Sequence, residues 1–316
     1  MTEPVDNPPI RLIGRHMRQI LFDTVLDWKR VFRGNLNLGA VALAVWVANV
    51  EYSLKDPELL RASRLAGLAP DQFKPIIASH VATASGFDDE TTRRYLMTTV
   101  EAGFLERSDE GYVLSTAFRQ SRQYDELITL STRRILEMFE YFERFEGIEQ
   151  YIRSLNGQYG FRTADLAARA SEIRHGLHLL FLRFLSKFTI EGYLVIDSSK
   201  VMSYIGLAVV IENVRALNAD PVLTLQYANF MPVPPASVRM PVSLRRLARV
   251  LEMPLETVRR YVQQLELMGF VARTGNGYIV PGETLVSYDM AIAQAVAVAR
   301  LGAEVTQLLS SLDSRS

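Results

Sequence analysis

Cysteine is absent from the 316 residues, and that one absence removes disulfides, thiolate zinc sites and thiol nucleophiles together. It fits a reducing, cytoplasmic setting. A surplus of either charge is missing too: 35 Lys and Arg balance 35 Asp and Glu, so no overall positive field is present to hold nucleic acid. Affinity for DNA would have to come from local patches. Long apolar runs are lacking as well. The longest uncharged apolar run, roughly Leu36 to Val50, falls short of the ~20 residues a membrane span needs and reads as a buried helix. No membrane partner is expected. Met1 to Pro9 is polar, with no basic patch leading into an apolar stretch, so no secretory leader is expected. Phosphate-binding G-x-x-x-x-G-K-[ST], G-x-G-x-x-G after a strand, H-E-x-x-H and G-x-S-x-G are all missing. Neither an enzyme nor a cofactor is therefore expected.

What is present begins with an internal repeat. Glu90 to Leu114, ETTRRYLMTTVEAGFLERSDEGYVL, aligns without a gap on Glu256 to Val280, ETVRRYVQQLELMGFVARTGNGYIV, at an offset of 166, and ten of the 25 positions are identical. The matches include Arg93/Arg259, Arg94/Arg260, Tyr95/Tyr261, Gly103/Gly269, Arg107/Arg273 and Tyr112/Tyr278. Upstream, Pro75 and Ala82 match Pro241 and Ala248 at the same offset. Asn49-Val50 and Asp56-Pro57 match Asn213-Val214 and Asp220-Pro221 at an offset of 164. A two-residue insertion accounts for the change. Self-similarity on this scale implies duplication of a structural unit.

Within the second copy, Val258, Tyr261, Val262 and Leu265 recur at helical spacing, and the opposite face carries Thr257, Arg259, Arg260 and Gln263. Pro254 suits a first helical residue and Gly269 a helix end. Ser243 can cap a preceding helix running to about Leu251, with Leu244, Leu247, Ala248 and Leu251 as its apolar stripe. After the second helix, Phe270 to Arg273 and Tyr278 to Val280 flank Thr274-Gly275-Asn276-Gly277, where Asn-Gly favours a tight hairpin turn. The order is helix, turn, helix, hairpin.

That segment resembles the winged helix-turn-helix of bacterial regulators such as the MarR, IclR and CRP groups, over about 40 residues per copy. The resemblance implies a mainly α chain with two winged helix-turn-helix units, each carrying a small β-hairpin wing, joined and flanked by helices. It also implies double-stranded DNA as partner, with the second helix of the motif in the major groove and the wing on the backbone or minor groove. Thr257, Arg259, Arg260 and Gln263 would then face bases or phosphates, with Arg273 on the wing and Arg245, Arg246 and Arg249 close by. Arg93 and Arg94 hold the corresponding places in the first copy. Arginine suits this work because its forked guanidinium pairs with two guanine acceptors or with phosphate oxygens.

Helical patterns flank each copy, which gives expected units of 12–155 and 163–312. By analogy with a MarR-type protomer, one chain could imitate such a dimer internally. The last helix, with Ala291, Ile292, Val296, Ala299 and Leu301, suits either a homodimer interface or packing within the chain. Aromatic-rich central helices suit a small-molecule effector, although no residue identifies one.

Charge separates the copies. From Gln72 to Ser115 four cationic residues face seven carboxylates, whereas from Arg239 to Pro281 seven arginines face three. Asp88, Asp89 and Glu90 favour the start of the first copy's helix yet repel phosphate approaching it. The second copy is therefore expected to carry the DNA affinity and the first to be degenerate or devoted to protein contact. A protein-interaction scaffold of winged helices and a plasmid-type replication initiator are the competing readings. Two further patterns read as ordinary structure. Glu172, His175 and His178 have metal-ligand spacing but no matching partner helix. Glu137, Glu140, Glu143, Glu146 and Glu149 read as a solvated acidic face.

Overall fold

The computed structural model describes residues 7–56, 58–59, 62–63, 67–190, 200–282, 284 and 288–313. Met1 to Asp6, Pro57 of the first Asp-Pro pair and Leu285, expected to open the last helix, lie outside the described residues. In chain order the elements are α1 (Ile10–Val31), α2 (Leu36–Lys55), α3 (Ala78–Ser85), α4 (Asp89–Glu101), β1 (Leu105–Ser108), β2 (Gly111–Leu114), α5 (Thr116–Arg119) and α6 (Arg122–Glu143). Then follow α7 (Glu146–Leu155), α8 (Thr163–Arg169), α9 (Arg174–Ile190), α10 (Lys200–Ala219), α11 (Pro221–Gln226), α12 (Leu244–Leu251), α13 (Leu255–Leu267), β3 (Ala272–Thr274), β4 (Gly277–Ile279) and α14 (Tyr288–Asp313). The chain is mainly helical; strands among the described residues form only two two-stranded antiparallel sheets. No single described helix is long and apolar enough to cross a membrane.

Two compact units result, each discontinuous in sequence. One joins 24–144, 156–193 and 299–316 and holds the first repeat; the other joins 1–23, 145–155 and 194–298 and holds the second. The expected bounds of 12–155 and 163–312 follow the repeats, whereas these units follow packing, and the division runs through α1 and α14.

In the unit of the first repeat, six aromatic side chains close a ring. Trp28 to Phe32 (5.7 Å), Phe32 to Phe104 (4.7 Å), Phe104 to Phe118 (5.1 Å), Phe118 to Tyr124 (5.9 Å), Tyr124 to Trp46 (5.1 Å) and Trp46 back to Trp28 (5.7 Å) are successive centroid separations. Each lies in the range where offset or edge-on rings attract beyond simple burial. His178 packs on this ring, 4.7 Å from Trp46. Ser131 Oγ lies 2.9 Å from Leu127 O and shares a hydrogen bond of 2.7 Å with His178 Nδ1. Burial pushes the His178 pKa down to about 3, so the ring is neutral. It is core rather than ligand, and among the described residues no His, Asp and Glu group is placed to hold a metal.

The hairpin of the first repeat is tied to α2 by Asn49, which is fully buried. Its Nδ2 donates to Lys74 O (2.7 Å) and Tyr112 O (3.1 Å), and its Oδ1 accepts from Leu114 N (3.0 Å). All the hydrogen-bonding capacity of a primary amide's two N–H groups is used, which is what makes a buried asparagine tolerable. Gly111, at φ 136, passes so close to the Ile76 carbonyl that a Cβ would collide with it. The turn between α3 and α4 has Gly86 in the left-handed region at φ 71.

The unit of the second repeat repeats these bonds with a more aliphatic core. Asn213 of α10 donates to Met240 O (2.8 Å) and Tyr278 O (3.0 Å) and accepts from Val280 N (2.9 Å). Gly277, at φ 145, approaches Val242 O as Gly111 approaches Ile76 O. Val258, Val262 and Leu265 of α13 and Leu247 and Leu251 of α12 are fully buried. Where the first repeat turns on Gly86, the second turns on Glu252 at φ 50, a left-handed conformation that is costly for a side-chain-bearing residue. Near the chain start, Arg15 donates to Thr224 O (3.0 Å) and Tyr227 O (2.9 Å) at the end of α11, where carbonyls lack helical partners.

Three local expectations are corrected. Pro254 is the N-cap rather than the first helical residue. The hairpin turn is Gly275-Asn276, since Thr274 pairs with Gly277; the left-handed glycine is recruited by the Val242 contact instead. The acidic residues do not form one solvated stripe, because α6 ends before Arg144. Glu137, Glu140 and Glu149 pair with Arg134, Arg144 and Arg153, and Glu143 accepts from Thr163 N.

Candidate nucleic-acid interface

Ser243 sets the start of α12, its Oγ accepting from Arg246 N at 3.2 Å. With Leu247 and Leu251 buried, Arg245 and Arg249, one turn apart, share the exposed side of α12. Neither has an ion pair or hydrogen bond among the described residues. Arg246 differs. Its guanidinium grips Glu212 of α10 with two bonds of 3.0 and 3.2 Å, which also raises its pKa. That side chain is committed to holding α12 on α10. Arg239, counted among the cationic residues of this copy, is buried and donates to Val280 O.

In α13 the buried row Val258, Val262 and Leu265 turns Arg259, Arg260 and Gln263 outward, and Thr257 is half-buried. Arg259 and Gln263 are one turn apart and project side by side. Arg259 pairs with Glu256 at 3.0 Å, with both partners solvated, a contact that phosphate can displace at small cost. Arg260 lies over the Tyr261 ring at 4.9 Å, which orients the guanidinium without spending its hydrogen bonds. Arg273 projects from β3, opposite Tyr278, and is exposed and unpaired among the described residues. Helix α12, helix α13 and the hairpin thus each present arginine to solvent.

The first repeat presents a different surface on the same sequence of elements. Arg93 and Arg94 are exposed on α4, and Arg94 lies 5.2 Å over Tyr95 as Arg260 lies over Tyr261. Asp88 caps α4, and the hydrogen bond from Thr91 N at 2.8 Å holds its carboxyl below the usual range, so it is anionic at neutral pH. An open cleft of about 340 Å³ is lined by Ile77, Arg93, Met97, Arg107, Asp109 and Tyr112. Ile77 and Met97 are 50% and 42% exposed, and their counterparts at the offset of 166 are Ser243 and Gln263. Two positions that are polar in the second repeat are thus apolar in the first, beside this cleft, a signal visible in the aligned repeats although the expectation above rested on charge alone.

Compared with known proteins, the chain matches no family model, no curated protein and no solved structure.

Proposed function

We propose that the two helix–helix–hairpin segments are winged helices descended from one duplication, and that the second binds double-stranded DNA as part of a transcriptional regulator. The observation that carries this reading is the exposed set Arg245, Arg249, Arg259, Arg260, Gln263 and Arg273, distributed over α12, α13 and the β3–β4 hairpin. In such an arrangement α13 enters the major groove, where Arg259, Arg260 and Gln263 reach base edges, while Arg245, Arg249 and Arg273 neutralise phosphates. Arg246 contributes rigidity through Glu212 rather than contact. The first segment, with Ile77 and Met97 exposed and carboxylates at the start of α4, favours a second reading for that segment alone, namely contact with protein.

Salt titration of duplex DNA binding tests the proposal. The apparent log K should fall linearly with log salt at about −0.9 per phosphate engaged, and Arg245→Ala and Arg249→Ala should each flatten the slope by about one contact. Failure to retain sheared genomic duplex at any salt concentration would remove the DNA reading and leave the scaffold.

A further inference from the structure

Glycine inside a helix costs about 1 kcal/mol relative to alanine, so Gly14, the fifth residue of α1, calls for a reason. Its surroundings supply one. A Cβ on Gly14 would lie 2.8 Å from Gln294 Oε1 and 3.5 Å from Arg18 Nη2. The missing side chain lets the amide of Gln294, from α14, lie directly against α1, with the guanidinium of Arg18, folded back one turn, beside it.

Neither group is satisfied there. Gln294 is fully buried, yet its Nε2 and its Oε1 have no hydrogen-bond partner. Arg18 is partly buried, and neither a hydrogen bond nor an ion pair compensates it among the described residues. Its pKa falls to about 10, through burial first and the charge of Arg11 second. A buried donor or acceptor left unmade is destabilising, and an uncompensated cation more so. Water can meet the amide but brings no charge to the guanidinium. The complement of this group is an anion that accepts from Arg18 and from the Gln294 N–H, and that also carries a donor for Gln294 Oε1.

We infer that Gly14, Arg18 and Gln294 form a binding site for a small oxyanion bearing a hydroxyl group, a chemistry shared by monohydrogen phosphate and by α-hydroxy carboxylates. Its three residues lie in one compact unit, and the inference does not depend on DNA binding.

Scanning calorimetry of the full chain at pH 7 and matched ionic strength, in phosphate, lactate, sulfate and chloride, tests it. Phosphate or lactate at a large excess over its Kd should raise the melting temperature of this unit by several degrees, on the order of 4–10 °C. Sulfate, which lacks the donor, should raise it less. Whichever of phosphate and lactate acts identifies the source. Arg18→Met and Gln294→Leu each remove an unmet polar group, so both should fold at least as stably as the parent without ligand, and each should abolish the shift. Equal melting temperatures in all four anions, a sulfate shift as large as the others, or a shift surviving in either variant would overturn the assignment.

Discussion

Where α13 exposes Gln263, α4 exposes Met97, and where Ser243 caps α12, Ile77 stands ahead of α3 with half its surface in water. Beneath these differences the two segments keep one set of bonds. Asn49 and Asn213 make the same three hydrogen bonds, Gly111 and Gly277 pass under the same carbonyl, and Arg94 and Arg260 lie over the same tyrosine. What was kept is the frame that fixes a hairpin against a helix. What differs is the chemistry offered to solvent.

The sharpest way to break this comparison is to exchange arginine for alanine at matched positions. Arg259→Ala with Arg260→Ala should weaken duplex binding by at least about 30-fold in a gel-shift titration, at roughly 1–3 kcal/mol for each arginine if it reads a base edge. Arg93→Ala with Arg94→Ala should change it less than about twofold. Equal losses from both pairs would dissolve the division of labour.

Next in size is the shared asparagine. Asn213→Ala leaves Val280 N without its bond in the interior and takes one bond each from Met240 O and Tyr278 O, the latter keeping that from Val242 N, and should cost roughly 2 kcal/mol in urea denaturation, with loss of the proposed DNA binding. Asn49→Ala should cost its own unit a similar amount and spare DNA binding. The units also differ in their response to acid, because His178 belongs to the first alone. Its folded pKa is depressed, so both states are neutral above the unfolded value of about 6.5. Below that the unfolded chain takes up a proton that the folded chain refuses. Stability should therefore fall by about 1.4 kcal/mol per pH unit as pH drops from about 6.5, until protonation of the folded form near pH 3 ends the loss. Denaturation at pH 7.5 and 5.5 reads this slope, and His178→Gln should flatten it. The smallest effect is a gain: Glu252→Gly gives the second turn the residue the first already has and should stabilise its unit by about 1 kcal/mol. No gain would mean that the Glu252 side chain does more than tolerate its turn.

Local signals carried much of this into the sequence. The 3.6-residue period placed Val258, Val262 and Leu265 inside, Ser243 marked a helix start, and Gly269 a helix end in the left-handed region. Tertiary partners did not show. Arg246 reads like its neighbours until Glu212, 34 residues earlier, is brought against it. Asn49 and Asn213 were visible as an identity, but their purpose needed backbone groups from 25 to 67 residues away. Gln294 is the one polar residue in the apolar stretch from Ala291 to Ala299, and nothing local marks it, because its unmet bonds exist only once Gly14 lies opposite. Long-range pairing leaves no period in the sequence for a reader to find.

The aromatic ring has one more consequence, and it is optical. The chain has two tryptophans, Trp28 and Trp46, and both stand in that ring, 5.7 Å apart. Indole emission therefore reports on the unit that holds the first repeat and is silent about the one that holds the second. Excitation at the long-wavelength edge of the protein's absorption, where indole absorbs and phenol does not, follows the melting of that unit while the other goes unobserved. A tryptophan introduced beside the second hairpin would give that half a signal of its own.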